Sequence, residues 1–139
     1  MPLISIIITT RNEEKNIGNC LKSIVNSNIA LEQYRYIDKK KKESIRLKSY
    51  KAKSLSKPLS YEIIVVDNNS QDKTKEIAKK YTKKVYNFPN LDKIKDVKNF
   101  RGAQLNFGVK KSKGEIIFFP DADMTFDKEL LQELIKKLK

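Results

Sequence analysis

The chain of 139 residues contains no histidine. That absence removes Ser-His and Cys-His catalysis and every imidazole metal ligand, leaving carboxylates, amines, guanidinia and hydroxyls to carry any chemistry. Its one cysteine, Cys20, excludes an internal disulfide, a composition compatible with a reducing compartment. Cys20 falls on the apolar face of a predicted helix and reads as core rather than as a reactive thiol. No apolar stretch approaches the roughly 20 residues of a membrane span. Met1-Pro2-Leu3 runs directly into a predicted strand, with no room for a signal peptide, so the expectation is a soluble, cytoplasmic protein. There are only four glycines, and no glycine-rich phosphate loop follows the first predicted strand, which argues against a sugar nucleotidyltransferase.

What is present suffices for one globular unit. A hydrophobic share of 39% supports a core and argues against wholesale disorder, and the length suits a single domain over residues 1–139. The net charge of +13 is unevenly spread. Residues 35–57 hold ten Lys or Arg against two acids, so +8 of that excess lies in one segment.

The periodicity predicts alternating strands and helices. Leu3–Thr9, Glu62–Val66, Lys84–Phe88 and Glu115–Phe119 are short apolar runs of the kind buried in parallel sheets. Ile17, Cys20, Leu21, Ile24 and Val25 share a helical face, with Asn12 as the expected cap and Glu13 and Glu14 in the first turn. Thr74, Ile77, Ala78 and Tyr81 form a second such face, capped by Ser70 or Asp72. A third helix spans Phe100–Lys111 and leaves through Gly114, read as a C-cap or turn. Asp127 is placed to cap a last helix carrying Leu130, Leu131, Leu134, Ile135 and Leu138. Residues 29–58 interrupt this order as a basic insertion after the first helix. The resulting βαβαβαβα order implies a Rossmann-like α/β fold, a mostly parallel sheet with helices on both faces.

Three strand ends carry polar clusters: Thr10-Arg11-Asn12-Glu13-Glu14, Asp67-Asn68-Asn69-Ser70 and Asp121-Ala122-Asp123. Ligands of open α/β sheets bind beyond the carboxyl ends of strands. If Asp121 and Asp123 continue the strand, they share a side, and two carboxylates there suit a hard cation that also holds phosphate oxygens. The same pair could instead solvate the turn before the last helix. Asp67 suits either a base N–H or ribose hydroxyl, or the capping of its own turn. Arg11 can stack on a base or pair with phosphate, and Arg101 opens the third helix.

Together these segments resemble the inverting family 2 glycosyltransferases of the GT-A fold. The matching stretches are Thr9-Thr10-Arg11-Asn12-Glu13-Glu14, Val65 to Thr74, Ala103 to Gly108, and Gly114 to Asp123. The resemblance implies that Thr9, Thr10, Arg11, Glu13, Asp67, Asn68, Arg101 and Asp121 bind a nucleoside-diphosphate sugar. It also implies that Asp121 and Asp123 ligate Mn²⁺ or Mg²⁺ on the diphosphate. The acceptor is unspecified; lipid-linked acceptors are common in the family, which suggests peripheral contact of residues 35–57 with the inner face of a membrane. The family's general base lies downstream of the last match, so it is expected beyond residue 139 and no catalytic residue is identified.

Arg11 departs from the aromatic residue that many members carry, and the basic insertion departs from their close succession of first helix and second strand. Two other readings stand beside this one. Asp121-Ala122-Asp123-Met124-Thr125 fits the D-x-D-x-T string of haloacid-dehalogenase-type phosphatases, although there the string opens the domain. A non-catalytic basic nucleotide- or nucleic-acid-binding protein would use the lysines for phosphates and Tyr34, Tyr36 and Tyr50 for stacking.

Overall fold

The computed structural model of the chain describes residues 2, 4–27, 60–89, 100–127, 133 and 137. Within them, strand β1 (Ile4–Thr10) leads to a helix over residues 17–27 (α1). Strand β2 (Tyr61–Asp67), helix α2 (Thr74–Ala78), strand β3 (Val85–Asn87), helix α3 (Phe100–Lys111) and strand β4 (Ile116–Phe118) follow. Residues 133 and 137 are helical. The basic insertion, Leu3 and the apolar residues expected on the last helix lie outside the described residues.

The four strands form one parallel sheet in the order β3-β2-β1-β4. Strands β1 and β2 are central, and their side chains are buried on both faces, as near-continuous Ile and Val runs require. On one face Ile4, Ile6, Ile8, Ile63 and Val65 pack with Ile17, Cys20, Leu21 and Ile24 of α1 and Ala78 of α2. On the other, Ile7, Ile64 and Val66 meet Ala103, Leu105 and Phe107 of α3. Helices therefore cover both faces, and Cys20 is fully buried, as expected.

Two glycines set how closely the chain approaches the sheet. A Cβ on Gly108 would stand 2.4 Å from Ile7 Cγ2, so α3 lies flat on β1 only because that position is bare. Gly108 and Ala103 of this helix thus serve contact with the sheet. At Gly114 a Cβ would meet the Ser5 backbone nitrogen at 2.5 Å. Of the C-cap and turn readings of Gly114, a left-handed C-cap does not occur, since no glycine has positive φ; the residue passes close over β1.

Beneath that passage, Glu62 is a buried carboxylate on the α3 face. It accepts hydrogen bonds from Ser5 Oγ (2.5 Å) and the Lys113 N–H (2.6 Å) and pairs with Lys84. Gly114 N–H donates to Ser5 Oγ at 2.8 Å. Burial alone would raise the Glu62 pKa, but the bonds from Lys84, Ser5 and Lys113 outweigh it and hold it at about 2.

Candidate functional site

The chain runs from β1 to β2 to β3 along one side of the sheet, then returns to place β4 on the other side of β1. Ligands of open α/β sheets sit beyond the carboxyl ends at such a reversal. Thr9, Thr10 and Arg11 lie at the end of β1, Asp67 and Asn68 at the end of β2, and Asp121 and Asp123 just after β4. The first turns of α3 reach the same end, because the buried amide of Gln104 donates to Val66 O (3.2 Å) and Thr10 O (3.4 Å).

The ends of β1 and β2 are laced into one unit. Thr10 and Asp67 are paired in register, and the Thr10 hydroxyl donates to Asp67 Oδ1 at 2.8 Å. Asp67 also accepts the Ser70 hydroxyl (2.5 Å) and the Ser70 N–H (2.9 Å). Beyond them, three successive N–H groups find side-chain acceptors on the facing loop: Asn12 on Ser70 Oγ (2.8 Å), Glu13 on Thr74 Oγ1 (2.8 Å) and Glu14 on Asp72 Oδ2 (3.1 Å). The loop answers with Gln71 N–H to Asn12 Oδ1 (2.9 Å) and Lys73 N–H to Glu14 Oε2 (3.1 Å). Exposed loop backbone is thereby satisfied without regular structure.

This lacing changes the parts assigned to several residues. Asp67 is fully buried, and its two oxygens accept from Thr10 and Ser70, so it caps its own turn. Asn12 does not cap α1. It takes φ 54°, a left-handed conformation that asparagine tolerates, and its side chain crosses to Gln71. The first turn of the helix is anchored on the Glu13 carbonyl instead, which accepts from Asn16 N (3.0 Å) and Ile17 N (2.9 Å). Neither residue expected to cap α2 occupies its N-cap position, which is Lys73; Asp72, one residue earlier, accepts the Thr74 N–H (3.0 Å), while Ser70 serves Asp67. The side chains of Arg11 and Asn68 make no hydrogen bond to another described residue, and Arg11 is exposed.

After β4 the geometry departs from the alternation of a strand. Strand β4 ends at Phe118, and the Met124 N–H donates to Asp121 O at 3.1 Å, closing a turn over 121–124. Asp121 and Asp123 therefore come from a turn, not from one side of an extended strand, because the chain bends as soon as it leaves the sheet. Asp121 pairs with the Arg101 guanidinium at the start of α3, both side chains being substantially exposed. Asp123 is exposed and has no ion pair with another described residue. Its charge adds to burial, the larger cause, in pushing the Cys20 thiol up to about 11.

No group of three or more Asp, Glu, Cys or His that could hold a metal occurs among the described residues. Two oxygen-donor acids on one turn do match what Mg²⁺ or Mn²⁺ asks of a protein when phosphate and water complete the shell. Sequence reasoning missed Gln104 and the lacing through Ser70, Asp72 and Thr74. The signals were a polar residue on the sheet-facing side of α3 and oxygen-bearing side chains at every second position. A groove of about 630 Å³ lined by Tyr61, Tyr81, Lys83 and Lys84 lies at the opposite end of the sheet, apart from these residues.

Comparison with known proteins agrees with this arrangement. The family model described as glycosyl transferase family 2 matches residues 5–139. Glycosyltransferase AglE of Haloferax volcanii is 31% identical over 133 residues, which make up 95% of this chain and 34% of that protein. The mouse dolichyl-phosphate beta-glucosyltransferase is 30% identical over 121 residues, 86% of this chain and 31% of that one. The chain thus spans about a third of the length of these curated relatives. Among solved structures, Staphylococcus aureus TarS 1–349 superposes with a TM-score of 0.62 at 24% identity, over 98% of this chain and 32% of that one. Glucosyl-3-phosphoglycerate synthase of Mycobacterium tuberculosis, solved with Mn²⁺ and UDP, superposes with a TM-score of 0.60 at 21% identity, over 99% and 39%. The fold is the GT-A fold, and the family match sets aside the phosphatase reading of Asp121 to Thr125.

Proposed function

The chain belongs to glycosyl transferase family 2, and on that premise we propose that it forms the donor-binding part of a glycosyltransferase. The donor is a nucleoside-diphosphate sugar, and the sugar passes to an acceptor hydroxyl with inversion at the anomeric carbon. We take residues 1–139 as one such unit.

One observation carries the reading. At the reversal point of the sheet, the acidic turn after β4 is paired through Asp121 with Arg101 of α3, beside the laced ends of β1 and β2. Acids for a cation and a guanidinium for phosphate thus stand together where a diphosphate would lie. Arg11 is free to stack on the base. Thr9, Asn68 and Glu13 flank the base and ribose, with Thr10 and Asp67 holding the floor. Arg101 faces the diphosphate, and Asp121 and Asp123 hold Mn²⁺ or Mg²⁺. When bound, that ion supplies Lewis-acid neutralisation of the departing nucleoside diphosphate. None of these side chains is assigned as the base that deprotonates the acceptor.

A lipid-linked acceptor is supported by the dolichyl phosphate in the name of the mouse relative. Among the described residues, no helix is long and apolar enough to cross a membrane. We place the whole protein on the cytoplasmic side of one, touching its surface through residues 35–57. Their charge supports this, as does exposed Lys83, which lines one groove with Ser60 and Val25 beside the insertion's junctions. Sedimentation with phosphatidylserine vesicles at low salt tests that placement, and no pelleting refutes it.

The donor site itself is tested by calorimetric titration of the chain with UDP and Mn²⁺. Binding should require the metal and be lost in Asp123→Ala. UDP binding indifferent both to chelator and to that substitution would overturn the metal site.

A further inference from the structure

We propose that Ser23 of α1, supported by Cys20, is a positioning residue that sets the pose of the acidic turn after β4. The inference rests on the metal reading of Asp121 and Asp123 above and concerns what holds them in place.

Between Phe118 and residue 127 the described chain has no regular secondary structure, and one backbone hydrogen bond closes its turn. Apart from the Asp121–Arg101 pair, its other hydrogen bonds among the described residues go to α1. Cys20, Ser23 and Ser27 recur at the spacing that brings residues onto one helical face. The Cys20 Sγ–H donates to Asp121 O at 3.5 Å, and the Phe126 N–H donates to Ser23 Oγ at 3.0 Å. Ser27 Oγ reaches Asp127 O at 3.4 Å. The Ser23 hydroxyl gives its own proton to Cys20 O at 2.7 Å, so its oxygen is turned toward Phe126 and both capacities are used.

Side-chain burial works in the same direction. Ala122 (5% exposed) and Phe126 (7% exposed) enter the core that contains Cys20 and Ile24, and the Phe126 ring stands edge-on to Phe118 at 5.7 Å. With Ala122 and Phe126 buried and the backbone tied to α1, Asp123 is left outward and Asp121 toward Arg101. Two carboxylates bind one cation well only when their separation is fixed before the ion arrives. Ser23 supplies that fixation from behind, touching neither metal nor nucleotide.

The test measures Mn²⁺ affinity, by electron paramagnetic resonance of free Mn²⁺ in the presence of UDP, on the full chain and its variants. Ser23→Ala should weaken Mn²⁺ binding roughly tenfold, in the range typical of residues that orient metal ligands. Ser23→Thr, which keeps the hydroxyl, should restore it. Ser5→Ala, at the far end of the sheet, should lower the melting temperature without changing Mn²⁺ affinity, separating positioning from general stability. Should Ser23→Ala not fold, Cys20→Val takes away the contact to Asp121 and should weaken Mn²⁺ binding in the same direction. Wild-type affinity in a folded Ser23→Ala protein, or in Cys20→Val where Ser23→Ala does not fold, with Asp123→Ala binding none, overturns the positioning by α1 and leaves the metal reading standing. Wild-type affinity in Asp123→Ala overturns the metal reading and this inference with it.

Discussion

Thr10 and Asp67 end neighbouring parallel strands, pair in register, and share a 2.8 Å hydrogen bond with Asp67 fully buried. The acid therefore acts as a rivet between strand ends, and the loops carrying Arg11 and Asn68 take their positions from it.

Removing that acid should be felt first in stability. Asp67→Ala leaves the Thr10 hydroxyl and two Ser70 donors without their acceptor, at a cost of about 3 kcal/mol. Urea unfolding gives the figure directly. A loss below about 1 kcal/mol would show that water replaces the carboxylate and that the rivet is dispensable.

Stability should also depend on acid pH through Glu62. Its folded pKa of about 2 lies below the ordinary 4.5, so the unfolded chain holds more protons between those values. The contribution is complete above about pH 4.5 and lost as pH falls toward 2, amounting to on the order of 3 kcal/mol. Glu62→Gln should flatten the stability profile in that window. An unchanged slope would mean that other acids dominate it.

The bare position at Gly108 gives a packing test. Gly108→Ala drives a methyl into Ile7 Cγ2 and should cost about 1–3 kcal/mol. Ile7→Ala removes the obstructing atom, so the double variant should lose less than the sum of the single losses. Strict additivity in a double-mutant cycle would refute the contact.

Arg101 should oppose the metal and favour the nucleotide. Its cation beside Asp121 repels an incoming Mn²⁺, so Arg101→Ala should tighten Mn²⁺ binding without nucleotide by on the order of 1 kcal/mol. The same variant should bind UDP more weakly. Calorimetry showing both affinities lowered would contradict this division of roles.

Much of the fold was legible one element at a time. The Ile and Val runs marked the strands to within a residue, and the range Phe100–Lys111 of α3 was readable in full, because burial on both faces and helical spacing leave local traces. Asn12 was misread since an asparagine before an acidic turn looks the same whether it caps its own helix or crosses to Gln71. Asp121 and Asp123 were assigned strand alternation although the expected strand stops at Phe119, because the turn that follows is set by contacts with residues far away in sequence.

The succession of strands and helices along the chain, the buried faces of α1 and α2 and the family followed from the sequence alone, since each depends on spacing within a short stretch. Which oxygen meets which N–H between residues 10–14 and 67–74, and that α1 holds the turn at Asp121, were decided by tertiary structure. Those partners stand about sixty or a hundred positions apart in the chain. Only the docking of one strand or helix on another brings them within hydrogen-bonding reach.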